Sequence, residues 1–213
     1  MKINKTIDYI RDPNDSYEEY LEKAKKLNVR CVFANPFNAN QALSAMKDTD
    51  IIVASAVDFP LGICCIEANL ADIENRYKLG IKEIDYVLNQ YAIENRDFEY
   101  IEKQMTAIAD FCRERGITDK CIVEMCKLDD ESKKTVCEIA LRAKPAFLKT
   151  STGRSFSGAK LEDVQLMKSI LQDEVKIKAA GGIRNYEFAK LLVDAGASAL
   201  GASAAIKIIE EEK

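Results

Sequence analysis

Two hydrophobic rhythms take turns along this chain. Short runs rich in Val, Ile and Ala read as buried strands. Between them lie longer stretches whose apolar positions recur every three or four residues, the period of a helix with one buried face. The runs predict strands at Thr6–Ile10, Val29–Ala34, Ile51–Ala56, Glu83–Leu88, Cys121–Met125, Ala146–Lys149, Val175–Ala180 and Ala197–Gly201. The longer stretches predict helices at Tyr17–Lys26, Asn40–Lys47, Ile66–Leu79, Phe98–Arg115, Ser132–Arg142, Leu161–Leu171, Tyr186–Ala195 and Ala202–Glu211. Gly80, Gly116 and Gly196 fall at the ends of three of these helices, where a residue free to turn left-handed stops the spiral. Every strand is followed by a helix, and no proline- or glycine-rich linker or low-complexity block interrupts the alternation. The pattern predicts an α/β fold, a single-domain (β/α)8 TIM barrel spanning residues 1–213. An open, doubly wound sheet is the structural alternative. Its dinucleotide-binding version is disfavoured because no G-x-G-x-x-G follows an early strand.

Composition narrows the function more than the fold. With 213 residues, 47% of them hydrophobic, the chain can bury a core of barrel size. A net charge of -4 and the lack of a basic tract argue against nucleic acid as a partner. No run of apolar residues is long enough for a membrane span, and Met1-Lys2-Ile3-Asn4-Lys5 lacks the apolar core of a signal peptide. A soluble, cytoplasmic protein is expected. The seven cysteines form no C-x-x-C pair, and an odd number cannot all pair within one chain, so they read as reduced core residues. The adjacent Cys64 and Cys65 leave a redox or metal role as the alternative for that pair. Histidine is absent altogether, which removes Ser-His-Asp and Cys-His catalysis and histidine metal sites at once. Chemistry must then come from Lys, Asp, Glu, Tyr or Cys.

Two lysines end apolar, strand-like runs. Lys149 closes Ala146-Phe147-Leu148 and opens Lys149-Thr150-Ser151-Thr152-Gly153, and Lys178 stands within Val175-Lys176-Ile177-Lys178-Ala179-Ala180-Gly181-Gly182. Burial disfavours an ammonium, and a second ammonium nearby does the same. A neutral amine at physiological pH is a nucleophile able to form a Schiff base with a carbonyl compound. The plainer reading of either lysine alone is a strand end whose head reaches water.

Asp85, flanked by Ile84 and Tyr86, is aimed by strand alternation to one side with Val87. An inward acid needs a cation or hydrogen-bond partner, and Lys120 on the next strand is the candidate; Glu124 is a second inward carboxylate. The two form a structural ion pair on one reading. On the other, Asp85 moves protons for an imine reaction. Gly181-Gly182 after the seventh strand and Gly201-Ala202-Ser203 after the eighth can offer backbone N–H groups to an anion, with Arg154 and Arg184 flanking. Taken singly, each glycine pair also fits a tight turn.

The lysine-centred pentapeptide at 149–153, Lys178-Ala179-Ala180-Gly181-Gly182-Ile183-Arg184, Glu83-Ile84-Asp85, Gly201-Ala202-Ser203 and Asp58-Phe59-Pro60-Leu61-Gly62 resemble the motifs of deoxyribose-phosphate aldolase, a class I aldolase family with a (β/α)8 barrel. The resemblance covers most of the chain, from about residue 27 onward. It implies cleavage of 2-deoxy-D-ribose 5-phosphate to glyceraldehyde 3-phosphate and acetaldehyde, with no metal and no cofactor. By motif, Lys149 is the Schiff-base lysine, Lys178 the neighbour that lowers its pKa, and Asp85 a proton relay oriented by Lys120. Gly181, Gly182, Arg184, Gly201 and Ser203 fall at the phosphate, and Thr150, Gly153 and Arg154 at the substrate. The implied partner is a small phosphorylated sugar rather than a membrane or nucleic acid, with a homodimer as the assembly left open. The chain departs from the family at Ile7-Asp8-Tyr9-Ile10-Arg11, where members read I-D-H-T-x-L, at Phe33, where a cysteine is common, and at Ala204, where some members have a second serine. Two other functions stand beside the main one. They are a related Schiff-base aldolase for another phosphorylated aldehyde or ketose, and a non-catalytic sugar-phosphate-binding barrel.

Overall fold

Eight strands pair side by side in chain order and the last returns to the first. They are β1 (Ile7–Tyr9), β2 (Cys31–Phe33), β3 (Ile52–Val57), β4 (Glu83–Val87), β5 (Thr118–Ile122), β6 (Phe147–Lys149), β7 (Lys176–Ala180) and β8 (Ala197–Ala202). All neighbours are parallel, and β8 closes the barrel on β1 through Ile7 opposite Leu200 and Asp8 opposite Gly201. That closure excludes the open sheet. This computed structural model describes residues 2–212; Met1 and Lys213, the two ends of the predicted barrel span, lie outside the described residues. Parallel strands are buried on both faces, so they read as near-continuous apolar runs, which is how they were legible in the sequence.

The outer layer is α1 (Tyr17–Leu27), α2 (Ala39–Met46), α3 (Ile66–Lys78), α4 (Gln90–Asn95), α5 (Phe98–Glu114), α6 (Asp130–Ala143), α7 (Leu161–Leu171), α8 (Tyr186–Asp194) and α9 (Ala205–Glu210). Local chemistry starts and stops these helices. Ser16 accepts the Glu19 N–H at 3.1 Å while its own N–H donates to the Glu19 carboxylate at 2.8 Å, a reciprocal cap of a kind that contributes about 1 kcal/mol. Asp97, Asp129 and Asn185 cap α5, α6 and α8 through the same N–H three residues on. Gly80, Gly116 and Gly196 have φ of 95°, 64° and 116°, the conformation expected just past a helix. Along α5, Ile101, Met105, Ile108 and Cys112 are buried, one stripe facing the barrel. Each such isoleucine contributes roughly 1.5–3 kcal/mol through apolar burial.

The structure shifts three expected elements. β5 begins at Thr118 and ends at Ile122, earlier than the apolar run Cys121–Met125 predicts. Asp119 and Lys120 lie ahead of that apolar run, yet both are buried strand residues: Lys120 faces the charged barrel interior, and Asp119, on the opposite face, accepts the Ala146 N–H. Glu124 takes φ 68° and Met125–Lys127 form a 3-10 turn, so the end of that run is the exit from the strand. Ala202 completes β8 rather than opening the last helix, which starts at Ala205. Asn89 also caps α4, a short helix absent from the expected pattern, its Oδ1 accepting the Ala92 N–H at 3.0 Å.

Candidate active site

Four adjacent strands bring the lysines and Asp85 together. Asp85 on β4 lies opposite Lys120 on β5, Ile122 on β5 opposite Lys149 on β6, and Lys149 opposite Lys178 on β7. Neighbouring strands are about 4.8 Å apart, so long side chains pointing into the barrel converge. Lys120 Nζ donates to Asp85 Oδ1 at 2.6 Å, and Lys149 and Lys178 both donate to Asp85 Oδ2 at 2.7 Å. All four groups are buried, and Lys149 is 4% exposed.

The electrostatics separate the groups by role. Burial pushes the Lys149 amine down; Asp85 opposes this and the Lys178 ammonium adds to it, leaving the amine at about 8. Burial alone would raise the Asp85 carboxyl, but Lys120, Lys149 and Lys178 hold it well below the usual carboxylate range. Burial would likewise lower Lys120, yet Asp85, Asp8 and Glu83 hold it above its ordinary value. Lys120 therefore stays an ammonium and Asp85 a carboxylate, while Lys149 can lose its proton near neutrality.

Three members of this cluster, Asp8, Glu83 and Arg30, escaped the sequence reading. Asp8 on β1 is fully buried and bonds Lys178 at 2.5 Å and Arg30 at 2.5 Å. Glu83, two residues before Asp85 and so on the same face of β4, bonds Lys120 at 2.6 Å and Arg30 at 2.5 Å. The signal existed: Asp8 is an acid in an apolar run, as Asp85 is, and a period of two puts Glu83 beside it. Asp8, Cys31 and Glu83 lie close enough to suggest a cation site. The donor set does not fit one, because Arg30, Lys120 and Lys178 already hold both carboxylates, and burial pushes the Cys31 thiol well up.

Two aromatic rings border the amines. The Phe33 ring centre is 4.8 Å from Lys178 Nζ and 5.8 Å from Lys120 Nζ, and that of Phe59 is 5.7 Å from Lys149 Nζ. Phe33 is held from behind: its N–H donates to the Tyr20 hydroxyl at 2.8 Å, and the Tyr17 hydroxyl donates to its carbonyl at 3.0 Å. The Asp58–Gly62 loop carrying Phe59 is pinned by the Cys64 N–H on Asp58 Oδ2 at 2.8 Å.

The residues expected at substrate and phosphate divide into two groups. Thr150 is fully buried and accepts the Ala180 N–H at 3.1 Å, so its hydroxyl ties β6 to β7. Gly201 leaves room for Lys178: a Cβ there would meet Lys178 Cε at 3.5 Å and Ala180 Cβ at 2.9 Å. Gly181 packs backbone to backbone on Gly153 and on Gly158, a residue the sequence reading passed over, with a Cβ at 181 meeting their Cα atoms at 3.0 and 2.9 Å. Gly182, Arg154, Arg184 and Ser203 face outward at the rim, exposed, and neither arginine has an ion-pair partner among the described residues. Glu124 turns to the neighbouring loop and accepts the Thr152 hydroxyl at 2.5 Å. Cys64 and Cys65 are free thiols, as are the other five cysteines.

No family model matches the chain. Individual proteins do. The deoxyribose-phosphate aldolase of Lactobacillus acidophilus is 43% identical over 192 residues, covering 90% of this chain and 81% of that protein. The deoxyribose-phosphate aldolase of Caldanaerobacter subterraneus is 39% identical over 218 aligned positions, covering 100% of this chain and 94% of that one. Among solved structures, the tetrameric deoxyribose phosphate aldolase of Aeropyrum pernix superimposes with a TM-score of 0.86 at 25% identity, covering 98% of this chain and 89% of its own. With such identity over nearly the whole length and with the same barrel, the chain belongs to the deoxyribose-phosphate aldolase family.

Proposed function

We propose that this protein cleaves 2-deoxy-D-ribose 5-phosphate to D-glyceraldehyde 3-phosphate and acetaldehyde through a Schiff base on Lys149. The observation that carries the reading is a buried lysine amine held at about 8 by burial, Asp85 and Lys178. The neutral amine adds to the C1 aldehyde of the open-chain sugar, and loss of water gives an iminium. A base then takes the C3 hydroxyl proton and the C2–C3 bond breaks. Its electrons pass to the iminium nitrogen, leaving an enamine and free glyceraldehyde 3-phosphate. Protonation of the enamine at C2 and hydrolysis release acetaldehyde and return the lysine. Asp85, anchored by Lys120, shares its Oδ2 between Lys149 and Lys178, which suits it to passing protons among the amines by way of water. Phosphate binding is assigned to Gly181, Gly182, Arg184, Gly201 and Ser203, with Thr150, Gly153 and Arg154 completing the substrate loops; the exposed arginines, free of ion pairs among the described residues, supply the charge.

The chemistry assigned to these residues needs neither metal nor cofactor. A cytoplasmic, reducing location is supported by seven free thiols, and no helix among the described residues is long and apolar enough to cross a membrane. For assembly, the tetrameric Aeropyrum pernix relative gives no support to the expected homodimer; a homo-oligomer is retained, with light scattering to count the copies. The test of function is borohydride reduction with substrate present. It should add the substrate-derived fragment to Lys149 and inactivate the protein, and an adduct on Lys178, or none, overturns the assignment.

A further inference from the structure

A run of ion pairs ties the amine at the carboxyl end of the barrel to its amino end. Arg30 immediately precedes β2, and its side chain is 16% exposed. Its guanidinium bonds Asp8 and Glu83, both at 2.5 Å. Glu83 passes the connection to Lys120 at 2.6 Å, Lys120 to Asp85 at 2.6 Å, and Asp85 to Lys149 at 2.7 Å. Asp8 closes a second branch onto Lys178 at 2.5 Å. Three carboxylates, Asp8, Glu83 and Asp85, thus face three cations, Arg30, Lys120 and Lys178, and the cluster is neutral when Lys149 is a bare amine. A proton on Lys149 adds one uncompensated charge to a buried interior, which is costly. The other groups nearby make no ion pair with the cluster among the described residues: the Cys31 thiol is pushed well up by burial, Glu124 turns to the Thr152 hydroxyl, Asp58 to the Cys64 N–H, and Lys176 is exposed over the Phe147 ring.

We propose that the Arg30–Glu83 pair at the amino end of the barrel sets the protonation of Lys149 at the other end, making both positioning residues that tune the amine without touching substrate. This rests on Lys149 being the Schiff-base amine. The logic is charge counting at short range. Removing the Glu83 charge leaves the cluster positive before Lys149 is protonated, so the amine holds its proton less tightly. Removing the Arg30 charge leaves it negative, so a proton on Lys149 is welcome. Opposite shifts from two partners of one ion pair are something that a purely structural role does not produce.

The experiment follows Lys149 in two ways: pH-dependent acetylation by acetic anhydride, mapped by mass spectrometry, and the acidic limb of kcat/KM. Glu83→Gln should move both down by roughly one pH unit, and Arg30→Met should move both up by a similar amount. The double variant should return to within a few tenths of a unit of the wild type, and Arg30→Lys, which keeps the charge, should stay there. If Glu83→Gln does not fold by circular dichroism, Arg30→Met and the double variant still decide, since the second must undo the first. Shifts in the same direction, or lost activity with unmoved limbs, overturn the proposal. A wild-type Lys149 that titrates low but forms no imine with deoxyribose 5-phosphate sinks the functional reading and leaves this inference standing. An imine that forms while both limbs ignore the variants sinks this inference alone.

Discussion

The amine cluster and the rim proposed to hold phosphate share one end of the barrel and are built on opposite plans. In the cluster, every charged head has partners at fixed distances before any substrate arrives: Asp85 touches three lysines at 2.6 to 2.7 Å, all from strands. At the rim, Arg154, Arg184 and Ser203 are exposed on loops, and the glycines are divided between close packing and open space. A nucleophile must be unprotonated and aimed in the free enzyme, which only a dry, rigid surrounding can arrange. A phosphate brings its own charge and can organise mobile cations when it binds. On the proposed reading the cluster therefore expresses its chemistry without ligand, whereas the rim acts only through binding energy.

The contrast can be broken most sharply at the proposed nucleophile. Lys149→Leu should lower kcat/KM on the order of 10⁴-fold at every pH, because no amine remains to form the imine. Substantial activity at high pH would move the covalent chemistry to another lysine. Next in size is the rim. Unphosphorylated 2-deoxyribose should be slower by about 10³-fold in kcat/KM if non-reacting phosphate contacts drive the reaction, and comparable rates for the two sugars would reduce the loops to turns.

Lys178→Leu separates burial from charge. The Lys178 ammonium helps to push the Lys149 amine down to about 8, so its loss lets that amine rise toward its ordinary value and the acidic limb moves to higher pH. Activity at pH 7 should fall about 10²-fold and recover in part above pH 9. Near wild-type activity at pH 7 would leave burial, with the smaller push from Lys120, as the cause.

The smallest effect lies outside the site and checks that the cluster's pH behaviour is its own. Burial raises the Asp119 carboxyl to about 6, with the Ala146 N–H partly opposing it. The folded state then holds this proton more tightly than the unfolded chain. The stability it confers is complete below about pH 4 and is lost as pH rises through 6. Asp119→Asn should gain about 2–3 kcal/mol over the wild type above pH 6.5 and little at pH 4, read by denaturant unfolding, with the activity profile unmoved. Equal effects at both pH values would mean that Asp119 does not carry the titration.

The site was legible wherever a polar residue interrupts an apolar run. Lys149, Lys178 and Asp85 stand out in this way, and Lys120 follows as the partner that Asp85 needs. Asp8 carries the same signal but lies on a strand of only three residues, too short for periodicity to speak. Arg30 falls inside the expected strand Val29–Ala34 but precedes β2 in the structure, and a lone arginine there looks like a surface charge. β5 was misplaced for a related reason: hydrophobicity finds strands by their apolar residues, and its first half is Thr118-Asp119-Lys120. At the rim, glycines could be located from the chain but not sorted, since packing against Gly158 and opening to solvent look alike in a sequence.

By itself the sequence determined the alternation of strands and helices, the caps between them and the chemical repertoire, lysine and carboxylate without histidine. These are local properties, set by periodicity, turn residues and composition. Only the tertiary structure decided that β1 closes against β8, which carries Asp8 to Lys178, and that β4 to β7 lie in order, which gathers three lysines on Asp85. Strand alternation tells each side chain which face to take; register between distant strands sets which charges meet. A proton's affinity for Lys149 depends on that meeting and on the burial of the amine, and neither is a property of any single segment of the chain.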